Sequence, residues 1–426
     1  MDEIMAIWAE WARPSAGLPT LEWSLLLAVA AAAGHLLQRY TGLPKLAGYS
    51  VVGALAGLAG FSGAIWPLQG TGLFLVELGI AVVLFEAGAR TSLRWFRHNP
   101  MVLVQSLFEA TLTYVAVLAT LKAMQVDAEV AEAVATVAVA ASPAVLTRVI
   151  MDIRASGPVT ERAVVLSTLN TLYALTLGSA TAGLMERAQD QLIDTLYPIA
   201  VVLGLSVVVA ALLALALRMA LRVMNPTSEN TAILLLAMIA AGTALAAQFG
   251  GSAALAALLG GMLLKQLHPR PWAWPRQLGT AASLITMLMF VLVSTVAAHA
   301  TQSGWSRGAG LLVLALLAAR ALAKIFALML ASIGSGMAWK QSLWLGCAMS
   351  PLSSVALLLA SQFASASPRL APEISALTLP AILLMEVLGA VIATFALQRA
   401  GESARHTRAP RAPAPRSTRT GDKHGT

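Results

Sequence analysis

Residues 21–397 form a succession of apolar runs of about 20 residues, joined by short polar segments. About 20 apolar residues is what an α-helix needs to cross about 30 Å of hydrocarbon. Inside lipid every backbone N–H and C=O must be satisfied within the protein, so only helices and closed barrels span a membrane. The ten-residue alternation of a membrane barrel is absent. Composition agrees with helices: 58% of residues are hydrophobic, 11% are charged, and mean hydropathy is +0.76. A soluble domain carries roughly 25% charged residues. The start, Met1-Asp2-Glu3, lacks the basic region of a cleaved signal, so the first helix is expected to be retained.

The pattern predicts about 13 spans and an all-α polytopic membrane protein. Placing the N-terminus outside puts most basic residues on the inside. Arg39, Lys45, Arg90, Arg94, Arg97, Arg148, Arg154, Arg162, Arg218, Arg222, Lys265, Arg270, Arg276 and Lys340 then lie in inner loops. Only Arg13, Lys122, Arg187, Arg307 and Arg369 lie outside. That asymmetry predicts an inner (plasma) membrane protein with an extracytoplasmic segment over 1–20 and a cytoplasmic C-terminus. Residues 399–426 are rich in Arg, Pro, Ser and Thr, cannot bury a core, and read as a disordered basic tail. The net charge of +8 sits in loops and tail, where it sets topology, and no nucleic-acid partner is expected. The partner it does imply is the lipid bilayer.

Two runs are broken at their middles. Ala141-Ser142-Pro143 interrupts the fifth span, 128–151, and Ser350-Pro351 interrupts the twelfth, 341–361. Proline in a helix interior costs about 3 kcal/mol or more, because it loses a hydrogen bond and clashes with the preceding turn. The division that makes these breaks equivalent takes 21–186 as one repeat, 196–223 as a connector and 231–398 as a second repeat. Each break then falls in the fifth span of its unit, and the two spans run in opposite directions. Paired breaks in inverted halves point to a transport site at the midplane. The fold expected is two inverted-topology repeats with crossed discontinuous helices.

The charges inside spans sharpen this. Arg320 and Lys324 lie one turn apart in the eleventh span, 308–331. Each costs about 2.5–3.5 kcal/mol at a helix centre. Four acids are also buried by sequence: Glu77, Glu86, Glu109 and Glu386. Glu386 lies at the centre of the last span, level with Arg320. Glu86 has Arg90 at i+4 as a ready partner. Glu109 falls in the inner half of the fourth span, and structural ion pairing is its simplest account. The centre of the sixth span reads Ser167-Thr168-Leu169-Asn170-Thr171, polar where a membrane helix is usually bland. Cys347 reads as a packing residue and excludes an intramolecular disulfide, and His35 reads as structural. No His and carboxylate spacing of a metal enzyme, no G-x-S-x-G and no Walker loop is present, so neither enzyme nor cofactor is expected.

Several motifs in order resemble the cation:proton antiporter superfamily, in its bacterial Na+/H+ exchanger and Kef-type branch. Leu43-Pro44-Lys45-Leu46-Ala47-Gly48-Tyr49 with Gly53 is similar to its L-P-x-x-x-G-Y-x-x-x-G signature. Glu77-Leu78-Gly79 followed by Leu84-Phe85 and Gly88 resembles its third span, and Ser142-Pro143-Ala144-Val145 resembles its broken helix. Lys324, Ser350-Pro351 and Glu386-Val387-Leu388-Gly389 fall where the family has a basic residue, a second broken helix and an E-x-x-G. The resemblance implies a mobile core of spans four to six and eleven to thirteen, a dimerisation scaffold of the others, and elevator-like movement. It also implies an Asn-Asp or Asp-Asp pair in span six that binds cation and proton in turn. Here that pair reads Asn170-Thr171, and a threonine hydroxyl carries no proton charge near neutral pH.

The function expected is monovalent cation (Na+ or K+):proton antiport by a homodimer. Ser142, Pro143, Ser167, Asn170, Thr171, Arg320, Lys324, Ser350, Pro351 and Glu386 are the candidate ion-binding and coupling residues. With no aspartate beside it, Lys324 is the leading candidate for the group that gives up the proton, and Glu386 is the other. Two alternatives stand beside this reading. Cationic Arg320 and Lys324 near two helix N-termini would suit a uniporter or channel-like carrier of another ion, possibly an anion. A relative that binds or regulates without transporting is the other.

Overall fold

The computed structural model describes residues 20–61, 66–68, 70–91, 99–185, 192–224, 228–267, 276–302, 307–352 and 354–403. Fifteen helices are present among these residues: α1 (Thr20–Thr41), α2 (Lys45–Leu58), α3 (Gly70–Arg90), α4 (Met101–Ala123), α5 (Ala128–Val139), α6 (Pro143–Ile153), α7 (Pro158–Met185), α8 (Leu192–Val223), α9 (Glu229–Gln248), α10 (Ala253–Leu267), α11 (Arg276–Gln302), α12 (Arg307–Leu330), α13 (Trp339–Ala348), α14 (Ser354–Ala366) and α15 (Ala371–Arg399). Nine helical segments among them are long and apolar enough to cross a membrane. Shorter apolar helices (α2, α10 and α14) pack among them. The proposed extracytoplasmic segment before Thr20, and residues 404–426 of the basic tail, lie outside the described residues.

Both expected interruptions are present. α5 stops at Val139, and α6 restarts at Pro143 with Pro143 in its first turn. Proline is tolerated there because its missing N–H has no helical partner to lose. Ala140 and Ser142 are extended, and the Ser142 hydroxyl accepts the Val145 N–H at 3.3 Å as an N-cap. α13 stops at Ala348, and α14 begins at Ser354, three residues beyond Pro351. The breaks meet directly: the Ser142 N–H donates to the Pro351 carbonyl at 3.1 Å.

Around this crossing α4 packs on α5 and α12, α7 packs on α5 and α14, and α15 lies against α13, α14 and α5. The largest hydrophobic cluster runs through it, including Val137, Val145, Leu166, Leu357 and Ile382. A second group joins α3, α8, α9 and α10, with its own apolar cluster around Phe85, Leu217 and Ile239. The chain past α15 folds back on the first group. The Glu402 carboxylate accepts the Val159 and Thr160 N–H groups at 2.8 Å, so it caps α7, and Glu402 and Ser403 are buried. Residues 399–403, expected to belong to an unstructured tail, are therefore ordered, with Glu402 and Ser403 packed against the protein. The Glu402 carboxylate meets N–H groups of the first turn of α7, which a helix leaves without partners of its own.

Small residues set the closest helix contact. A Cβ on Gly261 would stand 2.8 Å from Ala89 N and closer still to Phe85 O, and one on Gly88 would stand 3.0 Å from Met262 N. The α3 and α10 backbones are thus in direct contact, as small residues at membrane-helix interfaces allow. Gly261→Leu must push the two helices apart, because the obstruction is backbone. The expected loss is about 1–3 kcal/mol, read as a lower apparent melting temperature of the detergent-solubilised protein.

Candidate functional site

Proline breaks release carbonyls that have no helical partner, and in a membrane interior each must be met by protein. Arg320 on α12 meets three of them. Its Nε donates to the Ala138 carbonyl at 2.9 Å, one Nη to Ala140 at 2.8 Å and the other to Ser350 at 2.7 Å. Ala138 and Ala140 belong to the end of α5, and Ser350 follows the end of α13. One side chain, 1% exposed, thereby holds both helix C-terminal ends. Those ends carry the partial negative charge of their helix dipoles, which suits a guanidinium. The Thr171 hydroxyl on α7 lies 2.8 Å from both the next carbonyl, Ala141, and Ser167 O of its own helix, and its one proton is shared between them. Ser142 O accepts the Leu146 N–H at 3.1 Å. The carbonyls of Ala138, Ala140, Ala141, Ser142, Ser350 and Pro351 all have donors.

This corrects one expectation. The hydrogen bonds of Arg320 and Lys324 to the backbone go to carbonyls at the C-terminal ends of α5 and α13, where a cation is favoured, with Lys324 Nζ 3.4 Å from the Val139 carbonyl. Lys324 is also not short of a partner. Its ammonium is 2.5 Å from Oε1 of Glu109 on α4, with both side chains buried. The Thr113 hydroxyl, one turn along α4, donates to the same oxygen at 3.1 Å. The other carboxylate oxygen, Oε2, accepts the Asn170 side-chain N–H. A carboxylate facing an amide can only accept, so the amide nitrogen must point at Glu109 and the amide oxygen away from it. That oxygen, Asn170 Oδ1, is buried and has no hydrogen-bond partner among the described residues.

The structure therefore brings Ser142, Pro143, Asn170, Thr171, Arg320, Lys324, Ser350 and Pro351 together. Ser167 joins at one remove: its carbonyl accepts from Thr171, and its hydroxyl turns back to Val164 O at 2.9 Å. Glu386 stays apart. Its carboxylate accepts from the Ser294 hydroxyl of α11 at 2.8 Å, and its Oε1 has no partner among the described residues. Its own helix meets the crossing at Gly389, which lets Pro351 approach so closely that a Cβ would stand 2.7 Å from the Pro351 Cα. The residue that sequence reasoning left out of the site is Glu109. No group of three or more His, Cys, Asp or Glu side chains that could hold a metal is present among the described residues.

Residues 24–399 match the family described as "Sodium/hydrogen exchanger, transmembrane", which is nearly the whole chain. The chain belongs to the sodium/hydrogen exchanger family. It is a multi-pass membrane transporter of the cation:proton antiporter class, not an enzyme. The fold agrees. A structure of the sodium proton antiporter MjNhaP1 from Methanocaldococcus jannaschii at pH 8 superimposes with a TM-score of 0.66, covering 94% of this chain and 99% of that one at 15% identity. An electron-microscopy map of the same antiporter gives 0.68 over 88% and 93%. No curated protein matches the sequence.

In this exchanger-family chain the two ends of the helix bundle differ. Toward the start of α3, a cavity of about 370 Å³ lies between α3, α8 and the turn before α10 on one side and α7 and α14 on the other. Glu77, Ser179, Ser361 and Gln362 line it, and exposed Gly250 lies at its edge. Toward the opposite end of α3, polar ties join α6 to its neighbours. Arg148 of α6 donates to Ser283 of α11 at 3.0 Å and lies 3.8 Å from Glu86 of α3. Glu86 also pairs with Arg90 at 2.8 Å, the i,i+4 partner expected from sequence. The Lys45 N–H, at the start of α2, donates to Asp152 of α6 at 3.3 Å.

Proposed function

We propose that this protein exchanges a monovalent cation, Na+ or K+, for protons by elevator-type alternating access. The observation that carries the reading is the Lys324–Glu109 pair, buried where the two broken helices cross. A cation that takes Lys324's place on the carboxylate keeps the site neutral only if the lysine gives up its proton, so cation and proton compete for one place. α4–α7 and α12–α15 form the moving unit, with the crossing at its centre. α1–α3 and α8–α11 form the scaffold through which a homodimer assembles. With the N-terminus outside, the cavity faces outward and the Arg148 ties close the cytoplasmic end. The arrangement is then an outward-facing state in the inner membrane.

The satisfaction of both buried cations speaks against an anion carrier. Arg320 donates from all three of its nitrogens to carbonyls, and Lys324 is matched by a carboxylate, so both charges already have protein acceptors. The test is purified protein in liposomes loaded with a pH-sensitive dye. Addition of Na+, K+ or Li+ outside is expected to raise internal pH with at least one of them. A cation flux that ignores pH and follows membrane potential would select a uniporter. No flux of any ion would mark a transport-dead relative.

A further inference from the structure

We infer that Glu109 is the cation-binding carboxylate of this transporter, with the orphaned amide oxygen of Asn170 as a second ligand. The inference rests on the antiport reading above and names the atoms that would hold the ion.

The chemistry of the pocket argues for it. An alkali cation needs anionic and neutral oxygen ligands and gains nothing from nitrogen donors. Glu109, 0% exposed, is bonded to Lys324 and Asn170, and Lys324 in turn reaches the Val139 carbonyl at the end of α5, so a buried carboxylate lies one side chain from the crossing. One of its oxygens holds the Lys324 ammonium, which already occupies the place of a cation. The other fixes the Asn170 amide, and so turns Asn170 Oδ1 toward a position where it has no donor. A fully buried amide oxygen without a donor costs free energy unless something binds it. Thr171, beside it in sequence, is spent on the Ala141 carbonyl and offers no charge. The carboxylate that span six lacks thus arrives from a neighbouring helix. α4 is held in register for this by Ser106 to Tyr173 of α7 at 3.2 Å, and by Gln105 to the Ala331 carbonyl just past α12 at 2.9 Å.

The test compares four proteins in the dye-loaded liposomes: wild type, Glu109→Gln, Glu109→Asp, and Glu109→Gln combined with Thr171→Asp. Glu109→Gln is expected to reduce cation-driven proton flux to the level of empty liposomes. The double variant, which returns a carboxylate from the adjacent position on α7, is expected to regain it. Glu109→Asp keeps the charge opposite Lys324 and so guards against a simple failure to fold. Its shorter reach is expected to raise the KM for the cation about tenfold with a smaller change in kcat. A wild type without flux overturns the antiport reading and this inference with it. An active wild type alongside Glu109→Gln of equal rate, or Glu109→Asp of unchanged KM, overturns the inference alone.

Discussion

Arg320→Met is expected to leave little folded protein. The side chain donates to the carbonyls of Ala138, Ala140 and Ser350, which the two breaks have released into the interior. Each buried acceptor left unmet costs about 1–3 kcal/mol, and a fold of this kind is stable by only about 5–15 kcal/mol in all. Water cannot take over readily, since Arg320 is 1% exposed. Arg320→Lys is expected to rescue only part of the loss. An ammonium at the end of a flexible stem is a single point, whereas the guanidinium presents donors in a fixed planar fork. The three carbonyls come from two chain segments, so one point cannot replace that fork. Size-exclusion chromatography in detergent, followed by thermal unfolding of whatever elutes as a single species, measures both variants. A monodisperse Arg320→Met protein with the wild-type transition would show that the breaks are held by something else.

Much of this arrangement was legible from residue spacing. Proline alone does not decide a break, since α15 runs on through Pro380, but Ser142-Pro143 and Ser350-Pro351 stand at matching places in two inverted halves and so mark the crossing from sequence alone. Two cations one turn apart in a span had to find partners, which marked α12. What spacing could not show was the identity of those partners. Arg320 uses backbone carbonyls, which every residue has, so no side chain in the sequence advertises the contact. Glu109 sits in an ordinary apolar helix with no motif around it, and its role depends on α4 packing against α12 across more than 200 positions of sequence. One signal did exist. Glu109 and Lys324 both fall in the inner half of their spans, and matching charges by depth would have joined them. Glu386 lies level with Arg320 by sequence, but equal depth is not contact, and its partner is Ser294.

The Lys324–Glu109 pair itself yields the second large effect. Lys324→Met alone leaves Glu109 as a buried carboxylate without its cation. Glu109→Gln alone leaves a buried ammonium whose nearest remaining acceptor is Val139 O at 3.4 Å. Breaking a buried ion pair from one side costs about 3–5 kcal/mol, because the surviving charge stays desolvated. Removing both charges with side chains of similar size abolishes that penalty, and such replacements are often neutral or stabilising. The double variant Lys324→Met/Glu109→Gln is therefore expected to unfold at a higher temperature than either single variant, in the same detergent and at the same pH. The coupling between sites in direct contact is what a double-mutant cycle measures. Additive losses would mean that the two groups do not sense each other, and the pair could not then be the place where cation and proton compete. If the double variant matches wild type in stability but is silent in liposomes, the pair contributes little to holding the fold. Its two charges would then be kept in the membrane interior for the exchange itself.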